Sequence, residues 1–201
     1  MREKSVTGIV RFTPIFVCFL LGAPGCRDPV PEPEPERAHQ SRTEISLTYE
    51  FPAGFSLSES SKSGVRRAGY KVPKVGNDKE DAELLVLFYG TGAAGDRDKR
   101  WDEWFEQFDG DAKRDATRDA FTVGDIAVET FEFKGNYKLN MGPKKPGMTK
   151  SPVQMVKNDF RMIGAVVKTP DRGNWFFRLV GPDETVLANK EAFLAALRAV
   201  K

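Results

Sequence analysis

Histidine is almost missing from this sequence. His39 is the only one among 201 residues, and it stands in a proline-rich stretch ahead of the folded region. A Ser-His-Asp or Cys-His constellation therefore has no histidine to use within that region, and no G-x-S-x-G motif is present. Cysteine is nearly as scarce, with Cys18 and Cys26 alone. A zinc site built from histidine and cysteine is thereby excluded, and no metal or cofactor is expected. Charge of one sign is not in surplus either. Residues 1–25 hold three basic residues (Arg2, Lys4, Arg11) and one acid (Glu3), and the remainder is balanced. A general nucleic-acid binder needs excess positive charge to neutralise phosphates, so nucleic acid is not an expected partner. Long apolar runs are also few. The longest, Phe12 to Ala23, is too short to span a bilayer, which takes about 20 residues.

That run does fit an export signal. "MREKSVTGIVR" is a basic leader, "FTPIFVCFLLGA" an apolar core, and "APGC" sets Cys26 after small residues and a proline. The ending resembles the lipobox of bacterial lipoproteins, in which the cysteine is lipidated and becomes the first mature residue. Ala23 and Pro24 depart from the usual pattern, which leaves an ordinary signal-peptidase cut after Gly25 open as the alternative. Cys18 would be removed with the leader. One cysteine would then remain, and no disulfide could form within the chain. The expected organisation is a signal peptide over 1–25, a Pro/Glu-rich linker over 26–43 behind a lipidated Cys26, and one domain over 44–201. "RDPVPEPEPERAHQSR" cannot form a core and favours an extended spacer.

Within 44–201, alternation marks strands. "ISLTYEF" places Ile45, Leu47, Tyr49 and Phe51 on one face, and "VRRAGYKV" does the same with Ala68, Tyr70 and Val72. "AELLVLFYG" is apolar on both faces, as a central strand is. Trp101, Trp104, Phe105 and Phe108 then recur at helical spacing, with Asp96 or Asp98 able to cap the start. "DGDAKRDATRDA" reads as a solvated loop or helix tail. "FTVGDIAVETFEFKGNYKL" reads as a hairpin through Gly124-Asp125, with Phe131, Phe133 and Tyr137 on one face. Residues 139–157 read as a long loop. "DFRMIGAVVKT" and "NWFFRLVGP" give two further strands, and "NKEAFLAALRAV" a closing helix capped by Asn189. The expected class is α+β: a mainly antiparallel sheet, a helix after the third strand and a C-terminal helix.

Arg100-Trp101, Gln107-Phe108, Gly181-Pro182, Thr185-Val186 and Phe193 together resemble a pattern in a widespread family of uncharacterised exported bacterial proteins. The resemblance implies an α/β/α sandwich similar to PsbP-like proteins. It brings no established activity and no catalytic residue.

Gly90, Gly92 and Gly95 spell G-x-G-x-x-G. A dinucleotide site would need a βαβ unit whose second strand ends in an acidic residue. Here no second apolar strand follows the aromatic helix before Asp109 and Asp111, and Asp96 and Asp98 crowd the helix start, where they would repel phosphate. The glycines are expected to serve a turn instead. The carboxylate pairs Asp81/Glu83 and Glu129/Glu132 carry no signal beyond solvated surface, and no enzyme activity is expected. Lys138, Lys144, Lys145, Lys150 and Lys157, interleaved with Met141, Met148 and Met155, form a candidate basic contact surface for an acidic polymer, a lipid headgroup or an envelope protein. The expected role is a non-catalytic binding or scaffolding domain, anchored by lipid to a membrane facing the periplasm or cell surface. A small-ligand module and a His-free hydrolase are the alternatives.

Overall fold

Apolar residues alternate through most of the folded region, and the chain uses them to build one seven-stranded sheet. The computed structural model describes residues 47–61, 64–90, 92, 95–141, 153–170 and 173–201, all within a single unit, Thr43–Lys201. The signal peptide, the linker, Cys26, Lys144, Lys145 and Lys150 lie outside the described residues. The elements run β1 (Ser56–Ser60), β2 (Arg66–Val72), β3 (Ala82–Phe88), α1 (Arg97–Phe105), α2 (Ala112–Asp115), β4 (Thr117–Val123), β5 (Ile126–Met141), β6 (Val153–Thr169), β7 (Gly173–Pro182) and α3 (Asp183–Arg198). Strand order is β1-β2-β3-β7-β6-β5-β4, and every neighbouring pair is antiparallel. The α+β class is as expected, with a helix after the third strand and another at the C-terminus.

The sheet is covered on both faces, so the architecture is helix, sheet, helix. Leu84, Val86, Phe177 and Leu179 turn to α3, where Val186, Phe193 and Leu197 meet them. Leu85, Leu87, Phe131, Phe133 and Phe176 turn the other way, onto Trp101, Trp104, Phe105 and Phe108. Two-sided burial explains why β3 reads as continuously apolar. The aromatic stripe of α1 is core, as its spacing implies.

Three expectations are corrected. The described part of "ISLTYEF", residues 47–51, is not a strand of the sheet: it lies on the α3 side, with Leu47 buried and Tyr49 and Phe51 packed on Phe177 and Phe193. Thr48 pairs with Lys201, donating to its carbonyl at 3.0 Å and accepting from its N–H at 3.1 Å. One buried side suffices for alternation, whether or not the backbone joins a ladder. The first strand is instead β1, a polar edge. Next, the polar segment after α1 contains α2 and the start of β4, an edge strand whose side chains are mostly exposed on both faces and so carry no apolar alternation. Finally, α3 begins at Asp183 and Asn189 lies inside it, bonding the Thr185 carbonyl at 2.9 Å. The preceding Pro182 provides no side-chain cap. Asp78, from the β2–β3 loop, accepts from the Thr185 N–H at 2.7 Å and from its hydroxyl at 2.6 Å.

The glycines behave as a turn. Gly90 and Gly92 take φ values of 86° and 92°, which an L side chain resists. Asp96 then caps α1 by accepting from the Lys99 N–H at 2.8 Å. The neighbours of β3 are the antiparallel β2 and β7, so no βαβ unit surrounds the motif.

Candidate interaction site

β5 and β6 are far longer than their neighbours, at 16 and 17 residues. β4 accompanies β5 only to the pair Thr117↔Glu132, and β7 accompanies β6 only to Pro182↔Phe160. Beyond these points the two strands pair with each other, from Tyr137↔Lys157 to Met141↔Val153, as a two-stranded arm. The expected loop over 139–157 is therefore corrected: its described ends continue the ladder. Exposed Asn140 and Gln154 side chains hide that continuation from a pattern search, although they bond each other across the strands at 3.0 Å.

The base of the arm is fixed by the chain after α1. Phe108 bridges Tyr137, the Lys138 N–H donates to the Gln107 carbonyl at 2.6 Å, and the Asp109 N–H donates to the Asn136 carbonyl at 3.1 Å. A register irregularity between Gly135 and Tyr137, and a positive φ at Asp159, mark a bulge there. Two of the five candidate lysines are thus placed on strands, and both are paired within the domain. Lys138 meets Asp109 at 3.1 Å; Lys157 pairs with Glu80 and stands 5.2 Å over the Phe160 ring. The apolar side chains Met141, Met155 and Val156 remain 43–51% exposed near the end of the arm. A cleft of about 520 Å³ runs beside it, between Asn77, Glu80, Val156, Asn158 and Phe160.

The helix pattern Arg-Trp…Gln-Phe has a structural explanation. Trp101 and Phe108 are core, while Arg100 and Gln107 tie the flank of α1 to the sheet. The Arg100 guanidinium stacks 4.4 Å from the Tyr89 ring and pairs with Glu103 at 2.8 Å. Gln107 Oε1 accepts from Arg178 and from the Tyr137 hydroxyl, each at 3.2 Å. Burial pushes the Tyr137 phenol above its ordinary pKa, with a smaller downward pull from Arg178. In the "GP…TV…F" ending, Thr185 receives the cap, and Val186 and Phe193 are fully buried. Arg178 and Asp78 had no signal in the sequence. Each is one charged residue among many until the fold brings its partner near.

The carboxylate pairs also resolve. Val128 belongs to the α3-side core and Phe131 to the α1-side core, so along the strand Glu129 and Glu132 face opposite sides of the sheet. Glu129 is hydrogen-bonded by Lys168 and Arg97; burial alone would raise its pKa, but these cations outweigh it and hold the carboxyl below its ordinary value. Glu132 pairs with Arg161 and Lys190. Asp81 accepts from the Lys74 N–H at 3.1 Å, and Glu83 lies 3.8 Å from Arg178. Among the described residues no group of three acidic, histidine or cysteine side chains could hold a metal ion, and no helix is long and apolar enough to cross a membrane.

No family model and no curated protein matches the chain. Among solved structures, the crystal structure of LpqN, described as involved in cell envelope biogenesis of Mycobacterium tuberculosis, is similar at a TM-score of 0.43 and 16% identity. The match covers 78% of this chain and 82% of that one. Likeness at that level carries no argument about what this chain does.

Proposed function

We propose that this chain is an exported, lipid-tethered and non-catalytic domain that binds or scaffolds in the cell envelope, with the β5–β6 arm as its contact surface. The observation that carries this reading is how fully the helices close the sheet. Val72, Leu84, Val86, Phe176, Phe177, Phe193 and Leu197 are all completely buried, so recognition is left to the surface rather than to a deep apolar pocket. The arm is the feature that stands clear of that filled body. Its exposed methionines adapt to a partner's shape, and residues 138–157 carry five lysines and no acid. The apolar run ahead of Cys26, with the Pro/Glu spacer behind it, supports export and tethering. The non-catalytic reading is supported by the pairing of the candidate carboxylates, Glu129 with Arg97 and Lys168 and Glu132 with Arg161 and Lys190.

Cys26→Ala and a variant with Lys138, Lys144, Lys145, Lys150 and Lys157 replaced by serine test the two halves separately. Wild type should take up lipid label and fractionate with membranes, and Cys26→Ala should do neither. The lysine variant should keep its label and its membrane fractionation but lose in-cell cross-linking from the arm to envelope partners. A soluble, unlabelled wild type would overturn the tether. Undiminished cross-linking of the lysine variant would overturn the contact surface.

A further inference from the structure

The sheet has two edges, and they are treated differently. β1 is five residues long, and its register breaks between Leu57 and Glu59, which blunts it as a template for further pairing. β4 stays in continuous register with β5 from Thr117↔Glu132 to Val123↔Ile126, and its sequence "TRDAFTV" holds no proline, glycine or lysine. Val123↔Ile126 closes a two-residue turn, so the hydrogen-bonded pairs of this ladder fall at the odd positions of β4, and the Ala120 N–H faces away from β5. Its acceptor is the neighbouring Asp119 carboxylate, at 2.8 Å. By the antiparallel pattern the backbone groups of Arg118, Ala120 and Thr122 therefore point out of the sheet. The helices cover this edge only in part: Phe121 and Val123 pack against the α3-side core, with Arg198 5.4 Å over the Phe121 ring, while Thr117–Ala120 and Thr122 are exposed. One cleft of about 410 Å³ lies by Arg97, Trp101, Ala120 and Glu129, and another of about 260 Å³ lies by Thr117, Thr130, Ile163 and Lys190.

The strand is also complementary to itself. If two copies meet antiparallel about Ala120, Arg118 falls opposite Thr122, Asp119 opposite Phe121 and Thr117 opposite Val123. No like charges face each other, and a β-branched pair forms at each end. We infer that β4 pairs with β4 of a second copy about Ala120, joining two sheets edge to edge. Asp119 acts as a guard on this contact. Its carboxylate must leave the Ala120 N–H before the partner's carbonyl can accept from it.

Cysteine cross-linking of the full chain tests the contact. A residue opposite itself in such a ladder has Cα atoms about 5.5 Å apart, inside the range that a disulfide spans. After mild oxidation Ala120→Cys should give a covalent dimer, whereas Leu57→Cys on the other edge should give no more than wild type, whose own cysteines set the background. Ala120→Pro removes an N–H that its own sheet does not use, so it should fold normally and weaken self-association at least about tenfold by loss of two symmetric hydrogen bonds. Asp119→Ala should strengthen self-association. Equal cross-linking at both edges, cross-linking of Ala120→Cys to a different protein, or sedimentation unchanged by both Ala120→Pro and Asp119→Ala would overturn the inference.

Discussion

Removing the Asp78 carboxylate should weaken a helix that begins more than a hundred residues later. Asp78 Oδ2 accepts from both the backbone N–H and the hydroxyl of Thr185, at 2.7 and 2.6 Å. Thr185 is fully buried, and its oxygen also accepts from the Val75 N–H at 3.1 Å, so one threonine pins the β2–β3 loop to the first turn of α3. Nothing local replaces this cap. Pro182 has no polar side chain, and Asp183 is occupied by Arg161 at 2.6 Å and Lys134 at 2.8 Å. Loss of an N-cap costs about 0.5–2 kcal/mol, and a stranded buried donor about 1–3 kcal/mol. The two overlap, and Asp78→Ala should cost about 2–3 kcal/mol. For a folded unit of this size that lowers the melting temperature by roughly 5–10 °C. Urea denaturation should show a lower midpoint with an unchanged slope. Asp78→Asn, which keeps an acceptor oxygen, should lose much less. Thr185→Val should couple to Asp78→Ala by about 1 kcal/mol or more in a double-mutant cycle. A loss below about 0.5 kcal/mol, or additive behaviour in the cycle, would refute the capping role.

Two further tests concern the core and its charges. A Cβ at Gly164 would sit 3.0 Å from Trp104 Cζ3 and closer still to the Phe131 ring, so Gly164→Ala should destabilise by about 1–3 kcal/mol or more through overpacking; a neutral result in chemical denaturation would mean that α1 docks less tightly than described. For Asp183, burial raises the carboxyl pKa, but hydrogen bonds from Lys134 and Arg161 outweigh it, and the folded value lies below the ordinary one. Such a group contributes stability above its unfolded pKa of about 4 and loses it as pH falls through the lower folded value. Wild type should therefore lose urea resistance as pH falls below about 4, and Asp183→Asn should show a flatter dependence there; parallel curves would count against the ion pairs.

Much of the sheet was legible because two-sided burial leaves a mark on every residue of a strand. β3 could be placed centrally from Leu84 to Phe88, and α1 from the spacing of its aromatics, since periodicity is a local property. The hairpin through Gly124-Asp125 was legible, and with it Phe121–Val123 of β4; β1 and the first half of β4 were not, because solvent on both faces imposes no alternation. The candidate site was legible in outline only. Its lysines and methionines announced an unusual segment, but register across β5 and β6 is a relation between distant residues. Only that relation shows an arm rather than a loop, and only the fold brings Asp109 to Lys138 and Glu80 to Lys157.

By itself the sequence determined the layers where burial marks the chain: that β3, β7 and the core of β5 and β6 are strands, that the aromatic stripe and the C-terminal stretch are helical, and which side each buries. It also settled that histidine and cysteine chemistry is not available to the folded region. Tertiary structure alone decided where elements begin and who partners whom. The start of α3 is set by Asp78, the flank of α1 by Arg178, and the exposure of β4 by its place at the end of the strand order. The physical reason is common to all three. Burial patterns are written one residue at a time along the chain, whereas caps, ion pairs and free edges exist only between segments that folding brings together.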